Sequence, residues 1–463
     1  MSWQTITKEN NLLTVEKLLS ELSNNSRLEA EFYIAGGKKD GLLTGADVID
    51  FVQYGTSNAL NEDSEGYPVH RLNEYEMDFS GVPEKYCDLL SKDQFEKLRL
   101  KAGDVLICRT NGNPTYVGKA AMVMEDTDFA FASYLFRVRT NLKIKPSVLV
   151  SYLNSKSGRA EIEKYSIVSN QANFSPAKFR QISIPNFPQT FQESIGDDYL
   201  SAWKLYSKAK KIYQEAENRF LLEINLSGYE IGKSNISTRS FAQVAEHNRL
   251  DAEYWQPKYE EMSQKVSAIP QKELGEISSM KKGVEVGSEE YKEDGYPFIR
   301  VSDFSIYGID EAEKKISEKL YRKLKEDFEP NAGEVLFTKD GTIGLTSVLD
   351  KDIEAILSSA FLRLKPKKEV NSQYLALVLN SIFCKAQIER MSGGAIIAHL
   401  KPESVKALNI PILSDEKQKE IGAEVAESFK LRREAKNLLE RAKRAVEVFV
   451  EKDEKAALAV LER

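Results

Sequence analysis

A chain of 463 residues is longer than one apolar core usually serves, so two globular units are expected. With 41% hydrophobic and 29% charged residues it has an ordinary soluble composition, and apolar runs such as Tyr374 to Leu379 are too short to span a bilayer, so no membrane partner is expected. A net charge of −6 decides nothing about nucleic acid, because phosphate contacts depend on local clusters of Lys and Arg rather than on the total.

The three cysteines, Cys87, Cys108 and Cys384, are far apart and form no C-x-x-C pair. That fits a reducing cytosol and argues against disulfides or structural zinc. His70, His247 and His399 are not clustered, so no metal site is expected. Met1 to Asn10 lacks a basic stretch followed by an apolar core, so a cytoplasmic protein without a secretory signal is expected.

In chain order, residues 1–26 read as a helical lead-in, with Leu12, Val15, Leu18, Leu19 and Leu22 at helical spacing. Residues 27–188 form a first mixed α/β domain. Strand-like runs Val105-Leu106-Ile107-Cys108 and Tyr134-Leu135-Phe136-Arg137-Val138 are broken by Gly, Asn and Pro turns, Asn111-Gly112-Asn113-Pro114 being the densest. A helix-compatible piece, Ser147 to Lys164, follows. Residues 189–226 read as a long charged helix and 227–240 as a linker rich in Ser, Gly and Asn. Residues 241–413 form a second domain, and 414–463 a second long helix.

The second half repeats the first. Leu153-Asn154-Ser155 returns as Leu379-Asn380-Ser381 and Ile184-Pro185 as Ile410-Pro411, both at an offset of 226 residues. Upstream the offset drifts: Arg27-Leu28-Glu29-Ala30-Glu31 matches Arg249-Leu250-Asp251-Ala252-Glu253 at 222, and Gly66-Tyr67-Pro68 matches Gly295-Tyr296-Pro297 at 229. Lys101-Ala102-Gly103-Asp104-Val105-Leu106 matches Asn331-Ala332-Gly333-Glu334-Val335-Leu336 at 230. Repetition at this scale implies two similar surfaces on two similar struts. The helical stripe Leu205, Ala209, Ile212, Ala216 returns as Leu431, Ala435, Leu438, Ala442, continuing to Ala445 and Phe449. Such a seam wants a partner helix, and the economical solution packs the two helices together; the alternative lays each on its own domain. The expected fold class is α+β: two similar mixed α/β domains joined by two long antiparallel helices in a coiled coil, a pseudo-two-fold internal repeat. A helix of roughly 30 residues is about 45 Å long, which compares with about 34 Å for one turn of duplex DNA.

Several features in fixed order carry a resemblance. Gly-Tyr-Pro is followed by Val-His-Arg-Leu-Asn-Glu ending at Glu74, or by Phe-Ile-Arg-Val-Ser-Asp ending at Asp303. A Gly-Asp-Val-Leu or Gly-Glu-Val-Leu strand comes next, then a turn rich in Asn, Gly and Thr, then Ile-Pro and the long charged helix. The chain resembles the specificity (S) subunits of Type I restriction-modification systems over nearly its whole length. The resemblance implies two target recognition domains that bind double-stranded DNA. It also implies helices that dock methyltransferase subunits, two of them, and no catalysis or cofactor in this chain. S-adenosylmethionine and adenine methylation would belong to those partners, and nucleotide-driven translocation and cleavage to restriction subunits reached through the complex. The halves diverge at Phe51-Val52-Gln53-Tyr54-Gly55-Thr56-Ser57 against Ser279-Met280-Lys281-Lys282-Gly283-Val284-Glu285, so an asymmetric bipartite target is expected. The reading from another class is a non-catalytic protein-interaction scaffold.

Asn113-Pro114-Thr115-Tyr116 resembles the Asn-Pro-Pro-Tyr signature of adenine-N6 methyltransferases, but the second Pro and a Gly-rich cofactor loop are missing, so the turn reading prevails. As a DNA-facing loop the turn would offer Arg109, Asn111, Asn113, Tyr116 and Lys119, and its counterpart Lys339 and Thr342, since Arg and Lys suit guanine edges or phosphates and Asn suits adenine. Positive-φ turn geometry alone also explains Asn111, Gly112 and Gly341 and is preferred for them. A second surface would use Asn170, Gln171 and Asn173, matched by the stretch ending at His399, with a polar helix-capping loop as the alternative. Lys281 and Lys282 suit phosphates or a solvated turn equally. Arg71 and Arg300 read as structural, tied to Glu74 and Asp303. The helix seam is assigned to Leu205, Ile212, Leu431, Leu438 and Phe449, and no metal ligands are assigned.

Overall fold

The computed structural model describes residues 42–166, 172–230, 236–392 and 399–462, with the backbone of two strands nearer the N-terminus, Ile6–Glu9 and Leu12–Val15. These strands pair antiparallel, Ile6 opposite Val15, where a helical lead-in was expected. The β-branched Ile6, Thr7, Thr14 and Val15 favour extended backbone. Leu18, Leu19, Leu22 and the Arg27–Glu31 repeat lie outside the described residues.

The chain divides into two units, Met1–Tyr206 with Arg433–Arg463, and Ser207–Arg432. Both dividing points fall inside the long helices Gln189–Glu223 and Asp415–Glu451.

In the first unit, strand Leu135–Thr140 pairs antiparallel with Ile49–Tyr54 on one side and Val105–Cys108 on the other. Ala120–Met122 extends the sheet, and two short strands complete it. In the second unit the same order recurs as Ser278–Lys282, Phe361–Pro366, Val335–Thr338 and Thr346–Val348. Side chains alternate across a strand, so Val105 and Ile107 enter the main apolar cluster while Leu106 and Cys108 enter a second one. Val335 and Phe337 divide from Leu336 in the same way.

The repeated motifs are clamps. Asn154 accepts from the Ala120 N–H at 2.9 Å and donates to the Ala120 carbonyl at 2.9 Å, fastening helix Pro146–Asn154 to its strand. Asn380 does the same with Thr346, at 3.0 and 2.6 Å. The acid of each Gly-Asp/Glu-Val-Leu run holds a buried arginine: Arg137 to Asp104 at 3.1 Å, Arg363 to Glu334 at 3.0 Å. Arg71 pairs with Glu74 as expected, whereas the Arg300 guanidinium pairs closely with Glu313 at 2.6 Å and lies 3.9 Å from Asp303, which accepts the Arg300 backbone N–H at 2.9 Å. Gln192 and Gln418, near the starts of the long helices, bind loop backbone: Lys145 N–H donates to Gln192 at 2.7 Å and Asn371 N–H to Gln418 at 3.2 Å.

Within the first unit the two long helices run antiparallel. Arg441 donates to Asp198 at 3.0 and 2.6 Å, and the Phe449 ring lies 5.2 Å from that of Phe191. Within the second unit they are again antiparallel, with Arg219 reaching Glu420 at 2.8 Å and Glu424 at 2.9 Å, and Tyr213 stacked on Phe429. Ala209, Ala216, Ala435, Ala442 and Ala445 are buried as the stripe requires, and so is Leu431. The buried face is nevertheless wider than the stripe. Leu205, Ile212, Leu438 and Phe449 are only half-buried, whereas Ala202, Tyr206 and Leu439 are buried. The second helix also ends at Glu451; Asp453 caps a separate helix, Glu454–Leu461, by accepting from the Ala456 N–H at 2.8 Å. Among the described residues no helix is long and apolar enough to cross a membrane.

Candidate nucleic-acid interface

In the first unit, strand Val105–Cys108 runs into a loop whose ends are joined by Gly118 N–H donating to the Cys108 carbonyl at 2.7 Å. Asn111 accepts from the Asn113 N–H at 2.8 Å, and Asn113 from the Thr115 N–H at 3.1 Å, so both side-chain carbonyls shape the turn. Side-chain capping builds this turn; neither Asn111 nor Gly112 has the positive φ expected of them. Tyr116 remains exposed, with the Lys119 ammonium 5.6 Å from its ring centre.

The loop does not stand alone. Thr110–Asn111 pairs antiparallel with Ala172–Asn173, and Phe174 N–H donates to the Arg109 carbonyl at 2.8 Å. The two surfaces proposed separately from sequence, around Arg109 to Lys119 and around Asn173, are therefore one patch. Asn170 and Gln171 lie outside the described residues. Arg109 lies at the strand end with its guanidinium carbon 5.3 Å from the centre of the half-exposed Tyr54 ring. Its Nε is buried without a hydrogen-bond partner.

In the second unit the corresponding loop is four residues shorter, since Val335–Thr338 sits at an offset of 230 and Thr346–Val348 at 226. Asp340 bridges to His399, and Leu400 N–H donates to the Lys339 carbonyl at 2.9 Å, again uniting two segments. Lys339 is buried with its ammonium on Asp340, and His399 contacts the same carboxylate through Nδ1. The expectation that Lys339 faces a duplex is thus corrected: in this fold the neighbouring acid draws its charge inward. Gly341 has φ +70°, so its presence follows from turn geometry. Thr342 is exposed, and its carbonyl accepts from Thr338 Oγ1 at 2.6 Å. Lys281 and Lys282 are exposed on the edge strand Ser278–Lys282, opposite Arg363 and Leu362.

Tyr54 escaped the reading of the sequence. Its signal was the repeat itself: Tyr54 lies opposite Phe136 and Lys282 opposite Leu362, equivalent sites that put a ring in one unit where the other has a lysine. Among the described residues no group of three or more His, Cys, Asp or Glu side chains is placed to hold a metal ion.

Residues 266–440 match the family model described as Type I restriction modification DNA specificity domain. No curated protein matches the chain. Among solved structures, the S subunit of a Type I restriction-modification system from M. genitalium is 13% identical, over 92% of this chain and 98% of that one, with a TM-score of 0.37. A structure described as showing complex assembly and conformational transition of the type I R-M system is 13% identical over 90% and 96%, with a TM-score of 0.28. The HsdS subunit from Thermoanaerobacter tengcongensis is 13% identical over 90% and 97%, with a TM-score of 0.27.

Proposed function

We propose that the whole chain is the DNA-recognising subunit of a Type I restriction-modification complex, a reading supported by the match of residues 266–440 to the family model described as Type I restriction modification DNA specificity domain. The first half repeats the strand order, the Asn clamp and the buried Arg–acid pair of the second, which supports a second reader in the same chain. The observation that carries the reading is the union of two candidate segments into one patch in each unit, through Thr110–Asn111 with Ala172–Asn173 and through Asp340 with His399.

The two patches differ in side chains and in loop length, so each would read a different half of a bipartite, asymmetric target. Phosphate contacts from Lys281, Lys282 and Lys119 would set register, and the loop side chains would contact base edges. The long helices would dock two methyltransferase subunits, which would hold S-adenosylmethionine and methylate adenine; restriction subunits would join through them. This chain would contribute the address and no chemical step.

The test is co-expression with the cognate methyltransferase subunit, purification of the complex and mapping of methylated adenines. Exchange of residues 27–188 for those of a related protein should change one half of the motif only. A change in both halves, or a complex that binds proteins but methylates no defined motif, would overturn the reading.

A further inference from the structure

Several arginines of the first unit are held by carboxylates. Arg71, Arg137 and Arg139 each pair with a carboxylate, as Arg300 and Arg363 do in the second unit. Arg109 pairs with none among the described residues. Its Nε is buried and its guanidinium lies over Tyr54, so the terminal nitrogens are the part of the fork left to project. A guanidinium held on a ring with a free two-nitrogen edge matches the paired acceptors of a guanine in the major groove.

The second unit lacks this arrangement at the same register. Lys282 stands where Tyr54 does, Lys339 where Arg109 does, and Asp340, which draws in the Lys339 ammonium, where Thr110 does. The exposed Tyr134 beside Arg109, whose carbonyl accepts from the Arg109 N–H at 2.8 Å, is replaced by Ala360. The first unit thus presents rings and an unpaired guanidinium, the second edge-strand lysines.

Resting on the DNA-recognition reading above, we propose that Arg109 reads a guanine in the half-site of the first unit and that Tyr54 is a positioning residue fixing the plane of its guanidinium. The second unit, with Lys339 paired to Asp340, makes no equivalent contact.

The test uses the full chain assembled with its methyltransferase subunits, on the duplex defined by methylation mapping of the wild-type complex. Arg109→Ala should relax discrimination at one guanine of one half-site by roughly 5–150-fold and leave the other half-site unchanged. Arg109→Lys, which keeps the charge but not the fork, should lose most of that discrimination too. Tyr54→Ala should reduce it partly with an unaltered salt dependence of binding, and Tyr54→Phe should retain it. Uniform weakening on all sequences, with a salt slope reduced by about one, would make Arg109 a phosphate contact and overturn the proposal. So would Arg109→Ala within twofold of wild type at every position. A wild-type complex without a bipartite motif would instead remove the recognition reading and this inference together.

Discussion

Arg137 donates through Nη1 to Asp104 Oδ2 at 3.1 Å, with both side chains buried. The same guanidinium donates to the carbonyls of Arg99 and Lys97 at 2.7 and 2.9 Å, and Asp104 also accepts from Arg139 Nε at 2.6 Å. Burial pulls the Arg137 pKa down and the Asp104 charge opposes it, so the pair depends on both members. Asp104→Ala should therefore cost about 3–5 kcal/mol in urea unfolding, because an uncompensated cation stays buried. Arg139→Ala, at a partly exposed site, should cost about 1 kcal/mol or less. Equal losses in the two variants would refute this division of labour.

Asn154 tests the second clamp. Asn154→Ala leaves the N–H and carbonyl of Ala120 without their side-chain partner, which should cost about 1–3 kcal/mol per buried group. Asn154→Asp should be worse at neutral pH. Its new carboxylate would face Asp78, which Asn154 Nδ2 now contacts at 2.9 Å and whose pKa burial already raises. Protonation relieves that repulsion, so the aspartate variant should gain melting temperature relative to the alanine variant as pH falls from 7 to 5. A constant gap between them across that range would exclude it.

The frame was legible because repetition marks it. Leu-Asn-Ser and Gly-Asp/Glu-Val-Leu recur wherever a clamp or buried ion pair recurs, and Arg71 could be matched to Glu74 by spacing, whereas Arg300 takes Glu313, thirteen residues on, as its close partner. The patch was legible only in parts. Thr110 and Asn173 meet across 63 positions of chain, and a two-residue strand pairing leaves no periodic trace. The burial of Lys339 was hidden for a related reason: a lysine after a strand looks the same whether its neighbour Asp340 turns toward it or away. Which leucine is buried deeper was not legible where leucines are adjacent, as at Leu438 and Leu439, since a helical stripe accepts either and only packing decides.

That ambiguity gives a direct experiment. Leu439 is 2% exposed within the first unit's apolar cluster, and Leu438 is half-buried at its margin. Leu439→Ala should cost about 2–5 kcal/mol, the range for a buried leucine whose cavity closes incompletely, and Leu438→Ala clearly less. Chemical denaturation of the two single variants measures the difference. The reverse ranking would restore the seam first expected from the stripe.

His70 supplies a pH signature. Neither ring nitrogen has a hydrogen-bond partner, and burial, with the Arg71 charge adding to it, lowers its pKa from 6.5 to about 3. The folded state therefore keeps the ring neutral while the unfolded chain takes up a proton below about pH 6.5. Stability from this residue is undiminished above that pH and falls as pH drops toward 3, by about 1.4 kcal/mol per pH unit. Between pH 7.5 and 5 the loss should reach about 2 kcal/mol. At the equivalent position the second unit has buried Ile299, and at that of Tyr75, whose hydroxyl is also buried and unpartnered, it has Phe304. His70→Ile should accordingly fold, match or exceed wild-type stability at pH 7.5, and lose about 2 kcal/mol less than wild type by pH 5. Parallel stability-versus-pH curves for the two proteins would show that His70 is not the group responsible.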